Sequence, residues 1–131
     1  MPTIMIVDDS SVTRKVIKKH IKSGPYGTCE LVEAPNGEKA LETFKSGQKV
    51  DVVLSDWNMP KMNGLEFVRG LRAHETETSV ANPVKVIMIT TEGTIDKVTA
   101  AMESGVNEYI VKPFTADTLT KTLKKVLPLQ V

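Results

Sequence analysis

Five short apolar runs, each of strand length, recur along the chain, and each is followed by a longer amphipathic stretch. They are Thr3–Val7 (TIMIV), Cys29–Ala34 (CELVEA), Asp51–Ser55 (DVVLS), Lys85–Thr90 (KVIMIT) and Glu108–Val111 (EYIV). Several are rich in valine and isoleucine, and runs apolar on both faces suit parallel strands covered by helices. The stretches between them carry stripes at spacings of three and four: Val12, Val16 and Ile17; Gly37, Ala40, Leu41 and Phe44; Leu65, Val68 and Leu71; Ile95, Val98, Ala101 and Met102; Leu119, Leu123, Val126 and Leu127. Such spacing predicts one buried face per helix. Ser10 or Ser11, Asn36, Asn63, Thr94 and Thr115 stand where side-chain oxygens cap helix starts. A β-α unit repeated five times predicts an α/β fold: a parallel sheet, helices on both faces and right-handed crossovers. The most polar connection, Ala73 to Pro83 (AHETETSVANP), predicts an exposed loop, and the few residues after Leu127 (PLQV) predict no second domain.

Charge narrows the function classes. Lysine plus arginine number 17 against 16 acids, a formal net charge of +1. So even a balance gives no general case for nucleic acid or an anionic membrane, and a charge-based function must come from local arrangement. The single cysteine, Cys29, cannot form an internal disulfide and reads as a small core residue. The N-terminal MPTIMIVDD lacks the basic and long apolar regions of a signal peptide, and no run approaches the ~20 apolar residues of a membrane span. The cytoplasm is the expected compartment.

In open parallel sheets, ligands bind beyond the carboxyl ends of the strands. There the first run leads into Asp8 and Asp9, the third into Asp56, the fourth into Thr90 and Thr91, and the fifth into Lys112 and Pro113. The second leads into Ala34 and Pro35, which carry no chemistry. Three acids, a hydroxyl and an ammonium converge if strands one, three, four and five lie side by side. Crowded carboxylates repel unless a cation intervenes. All-oxygen ligation points to magnesium, or manganese, rather than zinc. Open positions on such an ion suit a phosphate oxygen, with Lys112 and a threonine hydroxyl holding others. The set fits phosphoryl chemistry on a carboxylate nucleophile. Taken singly each feature has an ordinary structural explanation, from helix cap to solvated lysine; their coincidence on one edge is the specific signal.

These residues carry a family resemblance. The Asp8–Asp9 pair, DWNMPKMNG (Asp56–Gly64), Thr90–Thr91 and YIVKPF (Tyr109–Phe114) resemble the receiver domain of two-component response regulators, in order along nearly the whole chain. DWNMPKMNG is closest in pattern to the stand-alone chemotaxis regulators of that family. The resemblance implies a flavodoxin-like, doubly wound (βα)5 sheet with strand order 2-1-3-4-5, and residues 1–131 as one receiver domain without an output domain. It implies that Asp56 accepts a phosphoryl group from the phosphohistidine of a CheA-like sensor histidine kinase. Asp8, Asp9, Asp56 and the Asn58 carbonyl would ligate magnesium, Asp8 largely through water. Lys112 would pair with the phosphoryl group, Thr90 would be the switch hydroxyl and Tyr109 the aromatic switch. Asn58 and Glu92 would tune dephosphorylation, and Lys112–Pro113 would be a cis peptide. Phosphorylation would alter the exposed face of the fourth helix, fifth strand and fifth helix for a downstream partner such as a flagellar motor switch. A phosphorelay intermediate or phosphate sink would carry the same residues. The unphosphorylated protein is expected to be monomeric.

Thr91 departs from the alanine usual in chemotaxis regulators, and its bulk is expected to narrow access to the phosphoryl group. Trp57, placed in the turn, is expected to be partly exposed beside the site and to report metal binding by fluorescence. His20 and His74 have no metal-like spacing and read as surface residues. Pro60 and Gly64 are expected to shape the turn and the start of the third helix. Lys121, Lys124 and Lys125 read as the wet face of the last helix. Two rivals share parts of the pattern. A magnesium-dependent aspartyl phosphatase would want a second acid at position 58, where Asn58 stands. A flavodoxin-like binding module would want a glycine-rich phosphate loop, and the three acids would repel a flavin phosphate.

Overall fold

The computed structural model describes residues 2–128; Met1 and residues 129–131, the end of the PLQV tail, lie outside the described residues. Strands and helices alternate: β1 (Thr3–Val7), α1 (Ser11–Lys22), β2 (Glu30–Ala34), α2 (Gly37–Lys45), β3 (Val52–Ser55), α3 (Gly64–Glu77), β4 (Lys85–Thr90), α4 (Ile95–Glu103), β5 (Glu108–Val111) and α5 (Ala116–Val126). All strand pairs are parallel, and the order is β2-β1-β3-β4-β5. This is the (βα)5 parallel sheet predicted from the alternating runs, in the flavodoxin-like strand order that the resemblance implies.

The period-two alternation of the strands divides the core into two layers. Met5, Val7, Val53, Val86 and Met88 face Ala40, Leu41, Phe67, Val68, Leu71 and Ala101 of α2, α3 and α4. Ile4, Ile6, Val52, Leu54, Ile87 and Ile89 face Ile17, Ile21, Leu119 and Leu123 of α1 and α5. β1 and β3 are fully buried, whereas the edge strands β2 and β5 keep exposed positions because each has a neighbour on one side only. Ser10, Asn36, Asn63, Thr94 and Thr115 are the N-caps, each accepting from the backbone N–H three residues on. Asn63 forms a full capping box with Glu66.

Four expectations are corrected. The buried face of α1 is Ile17 and Ile21; Val12 is 69% exposed and Val16 is exposed too. In α4 only Ala101 is buried, while Ile95 is 83% exposed and Met102 lies outside the core. Val12 and Val16 lie on a side of α1 turned away from buried Ile17 and Ile21, and α4 buries its stripe only at Ala101. The Ala73–Pro83 connection is half helix: α3 runs on to Glu77 and Thr78 caps it. That last turn is polar all round and is held by hydrogen bonds, Thr76 Oγ1 to the Arg72 carbonyl and Arg72 to Glu75. Cys29, finally, is half-buried at the core margin, where burial pushes its thiol pKa up.

Candidate functional site

The parallel ladders each continue one hydrogen bond past the strand ends. Asp8 N donates to Ala34 O at 3.2 Å, Asp56 N to Val7 O at 3.0 Å and Lys112 N to Thr90 O at 2.8 Å. Val7 is level with Ser55 and Thr90 with Val111. The residues that follow therefore share the carboxyl edge of the sheet. There one carboxylate oxygen from each of Asp8, Asp9 and Asp56 lies within 4.8 Å of the others.

Lys112 Nζ bridges two of them, at 3.3 Å from Asp8 Oδ2 and 3.4 Å from Asp56 Oδ2. Asp56 keeps 12% side-chain exposure, and its Oδ1 accepts from Trp57 N at 2.7 Å and more weakly from Asn58 N at 3.4 Å. Asp8 is 2% exposed and accepts from Ser10 N at 2.9 Å. Its carboxyl pKa is raised: burial outweighs the Ser10 hydrogen bond and Lys112, and the neighbouring Asp56 charge adds to the rise. Asp9 is exposed. Three carboxylates gather there and a single ammonium, that of Lys112, bridges two of them, so acids outnumber cations at this edge. The donors are all oxygens, without histidine or cysteine, so the residues fit a hard divalent cation such as magnesium or manganese.

Thr90 is fully buried, and its hydroxyl accepts from Glu92 N at 3.3 Å. Tyr109 is half-buried and donates its hydroxyl hydrogen to the Glu92 carbonyl. Burial raises its phenol pKa, helped by the Glu92 and Asp56 charges. Asn58 Nδ2 donates to Glu92 Oε1 at 3.3 Å, so these two positions touch across the site mouth. Thr91 is exposed beside them. The Lys112–Pro113 peptide is cis.

The turn after Asp56 is tight. A Cβ on Gly64 would fall 2.2 Å from Asp56 O, so only glycine lets α3 begin against the strand end at Asp56. Met62 N donates to Pro60 O across Lys61, whose φ of 68° is a strained left-handed conformation for that residue. Trp57 corrects the expectation of partial exposure: it is 7% exposed and packs in the core layer of α2 to α4. The Lys97 ammonium covers its ring, 5.0 Å from the centroid. His20 is half-buried and meets Phe114 edge-on at 5.9 Å, and His74 is half-buried on α3. Of the α5 lysines, Lys121 pairs with Asp117 at 3.0 Å and Lys125 reaches Glu108 at 3.6 Å.

Arg14 is a site neighbour that the sequence reading missed. It donates to the Asp8 carbonyl through Nη1 and to Glu33 Oε1 through Nε at 3.0 Å, while Lys18 reaches Glu33 Oε2 at 2.8 Å. The i, i+4 basic pair was visible; that Glu33 on β2 would face it was not, because that depends on β2 lying beside β1.

The response regulator receiver domain model matches residues 4–124 of this chain. The chain is 40% identical over 124 residues to a chemotaxis protein CheY homolog of Campylobacter jejuni, covering 95% of this chain and 91% of the relative. It is also 40% identical to chemotaxis protein CheY1 of Helicobacter pylori, covering 95% of both. Among solved structures, Vibrio cholerae chemotaxis protein CheY4 superposes with a TM-score of 0.82 at 32% identity, covering 97% of this chain and 99% of that one.

Proposed function

The chain belongs to the response regulator receiver family, and from that premise we propose how the carboxyl edge of its sheet works. The protein is a phosphoacceptor signalling switch of the chemotaxis type, with the receiver domain over residues 4–124. Asp56 is the acceptor. Its carboxylate oxygen forms the new O–P bond as the P–N bond of a sensor kinase's phosphohistidine breaks, the electron pair leaving with the imidazole nitrogen. Asp8, Asp9 and Asp56, with the Asn58 carbonyl, would hold a magnesium or manganese ion, Asp8 largely through water, and its charge would offset those of the carboxylates and phosphoryl oxygens. The observation that carries the reading is the shared cation: Lys112 already sits between Asp8 and Asp56, where phosphoryl oxygens would develop.

The neighbouring contacts supply the switch. Thr90 turns its hydroxyl from Glu92 N toward the phosphoryl group, and Glu92 loses that partner. Tyr109, tied to the Glu92 carbonyl, follows inward. The Asn58–Glu92 contact, with Thr91 beside it, sets access of hydrolytic water and so the lifetime of the acyl phosphate. The face that changes is α4, β5 and α5. It carries exposed Ile95 and Val111, with exposed Lys121 and Lys124 on α5, a composition suited to an acidic amphipathic segment of a downstream protein such as a motor switch. The catalysis proposed acts on the protein's own aspartate. No helix among the described residues is long and apolar enough to cross a membrane, and we place the switch in the cytoplasm with a CheA-like kinase. The receiver match disfavours the phosphatase rival.

The test is phosphotransfer. Label held on a purified histidine kinase of the chemotaxis type should move to the wild-type chain and not to Asp56→Asn. Equal labelling of the variant would refute the assignment.

A further inference from the structure

The two ends of α4 are held by different means. At the C-terminal end Gly105, with φ 110°, stops the helix. Arg72 of α3 donates to the Gly105 carbonyl from Nη2 at 2.8 Å and from Nε at 3.2 Å, and Arg69 Nε reaches Ser104 Oγ at 3.2 Å. Between the ends, Ala101 is the helix's only buried residue. At the N-terminal end Thr94 caps Lys97 N at 3.3 Å, but Ile95 and Asp96 face solvent. The contact that ties this end to the phosphoacceptor loop is the Lys97 ammonium over the Trp57 ring.

That lysine is out of place by local rules. It is the third residue of α4, where the helix dipole disfavours a cation. The electron-rich face of Trp57 offsets the cost. Trp57 is in turn bonded to the acceptor, its backbone N–H donating to Asp56 Oδ1 at 2.7 Å. Two contacts therefore join the Asp56 carboxylate to the first turn of α4. Phosphorylation removes the carboxylate charge, which weakens the charge-assisted bond holding Trp57.

We propose, on the phosphoacceptor reading above, that Lys97 is a positioning residue of the switch: seated on Trp57, it latches the first turn of α4 to the Asp56 loop in the resting protein. Loosening the latch lets α4 turn about its Arg72-held end. This couples Asp56 to the partner face by a route separate from Thr90 and Tyr109.

Trp57 is the chain's single tryptophan, so its emission reports the latch directly. Lys97→Met keeps the aliphatic stem and removes the charge; Lys97→Arg keeps the charge. In the full chain without metal, Lys97→Met should speed amide exchange at residues 95–98 about fivefold, leave residues 101–105 unchanged, and shift Trp57 emission toward that of wild type saturated with magnesium and beryllofluoride. Lys97→Arg should restore wild-type behaviour. Unchanged exchange and emission in Lys97→Met would overturn the latch, as would an equal rise at both ends of α4. A wild type whose emission ignores magnesium and beryllofluoride would instead overturn the phosphoacceptor reading, while the metal-free exchange still decides the latch.

Discussion

At the carboxyl edge of the sheet, three carboxylates face one lysine, and the most buried of them, Asp8, has its pKa pushed up. At the amino edge the charged and polar groups are matched. Arg72 donates to Glu75 Oε1 at 2.6 Å, Val84 O at 2.7 Å, Gly105 O at 2.8 Å and Asn107 Oδ1 at 3.1 Å. Glu75 and Asn107 in turn accept from Val84 N and Val86 N, and Asp51 accepts from Thr3 N at 2.8 Å. One edge is a satisfied network that fixes the starts of β1 and β4; the other keeps an excess of negative charge that a cation would offset.

The contrast predicts that equivalent cuts at the two edges do different things. Lys112→Ala should leave the fold intact but slow labelling from acetyl phosphate by about 100-fold, because the ammonium no longer meets the developing charge. A variant labelled at the wild-type rate would make the two edges functionally alike. Arg72→Ala should act on stability: losing a guanidinium that leaves Glu75 without its cation and two carbonyls without their side-chain donor should cost about 3 kcal/mol, read as a lower urea midpoint with the slope unchanged. Its effect on labelling below the unfolding range should be small.

Two single carboxylates sharpen the comparison through pH. The raised pKa of Asp8 means that the folded state holds that proton more tightly than the unfolded chain. Its stabilising contribution is present below 3.8 and is lost as pH rises through the higher folded value. Asp8→Asn should therefore raise the metal-free melting temperature at neutral pH by about 3 °C and remove the gain from added magnesium. Glu33 has the opposite sign. The hydrogen bond from Lys18, then that from Arg14, holds its pKa below 4.5, so its contribution is present above that value and is lost as pH falls through the lower folded one. Glu33 is partly exposed, so Glu33→Gln should cost no more than about 0.5 kcal/mol at neutral pH and nothing in strong acid.

Much of this was legible in the chain. The five strands follow from their apolar runs, and every helix start from a capping side chain, Ser10 through Thr115. The edge that gathers Asp8, Asp9, Asp56, Thr90 and Lys112 follows from strand order, which the family resemblance supplied. What failed to show was tertiary. A stripe lists apolar residues without saying which lie over the sheet, so Val12 and Ile95 read as core. The last turn of α3 has no apolar period, being made by Arg72 and its partners. Trp57 looks like a surface turn residue until Lys97, forty positions later, closes over it.

The central claim, that the unbalanced edge is a metal-dependent phosphoacceptor centred on Asp56, is tested most directly by mapping phosphoryl transfer from acetyl phosphate by intact and peptide mass spectrometry, with magnesium and with chelator. The account predicts one phosphoryl group per chain, located on Asp56 and absent when the metal is chelated. A phosphoryl group on another residue, or equal uptake without the metal, would contradict it.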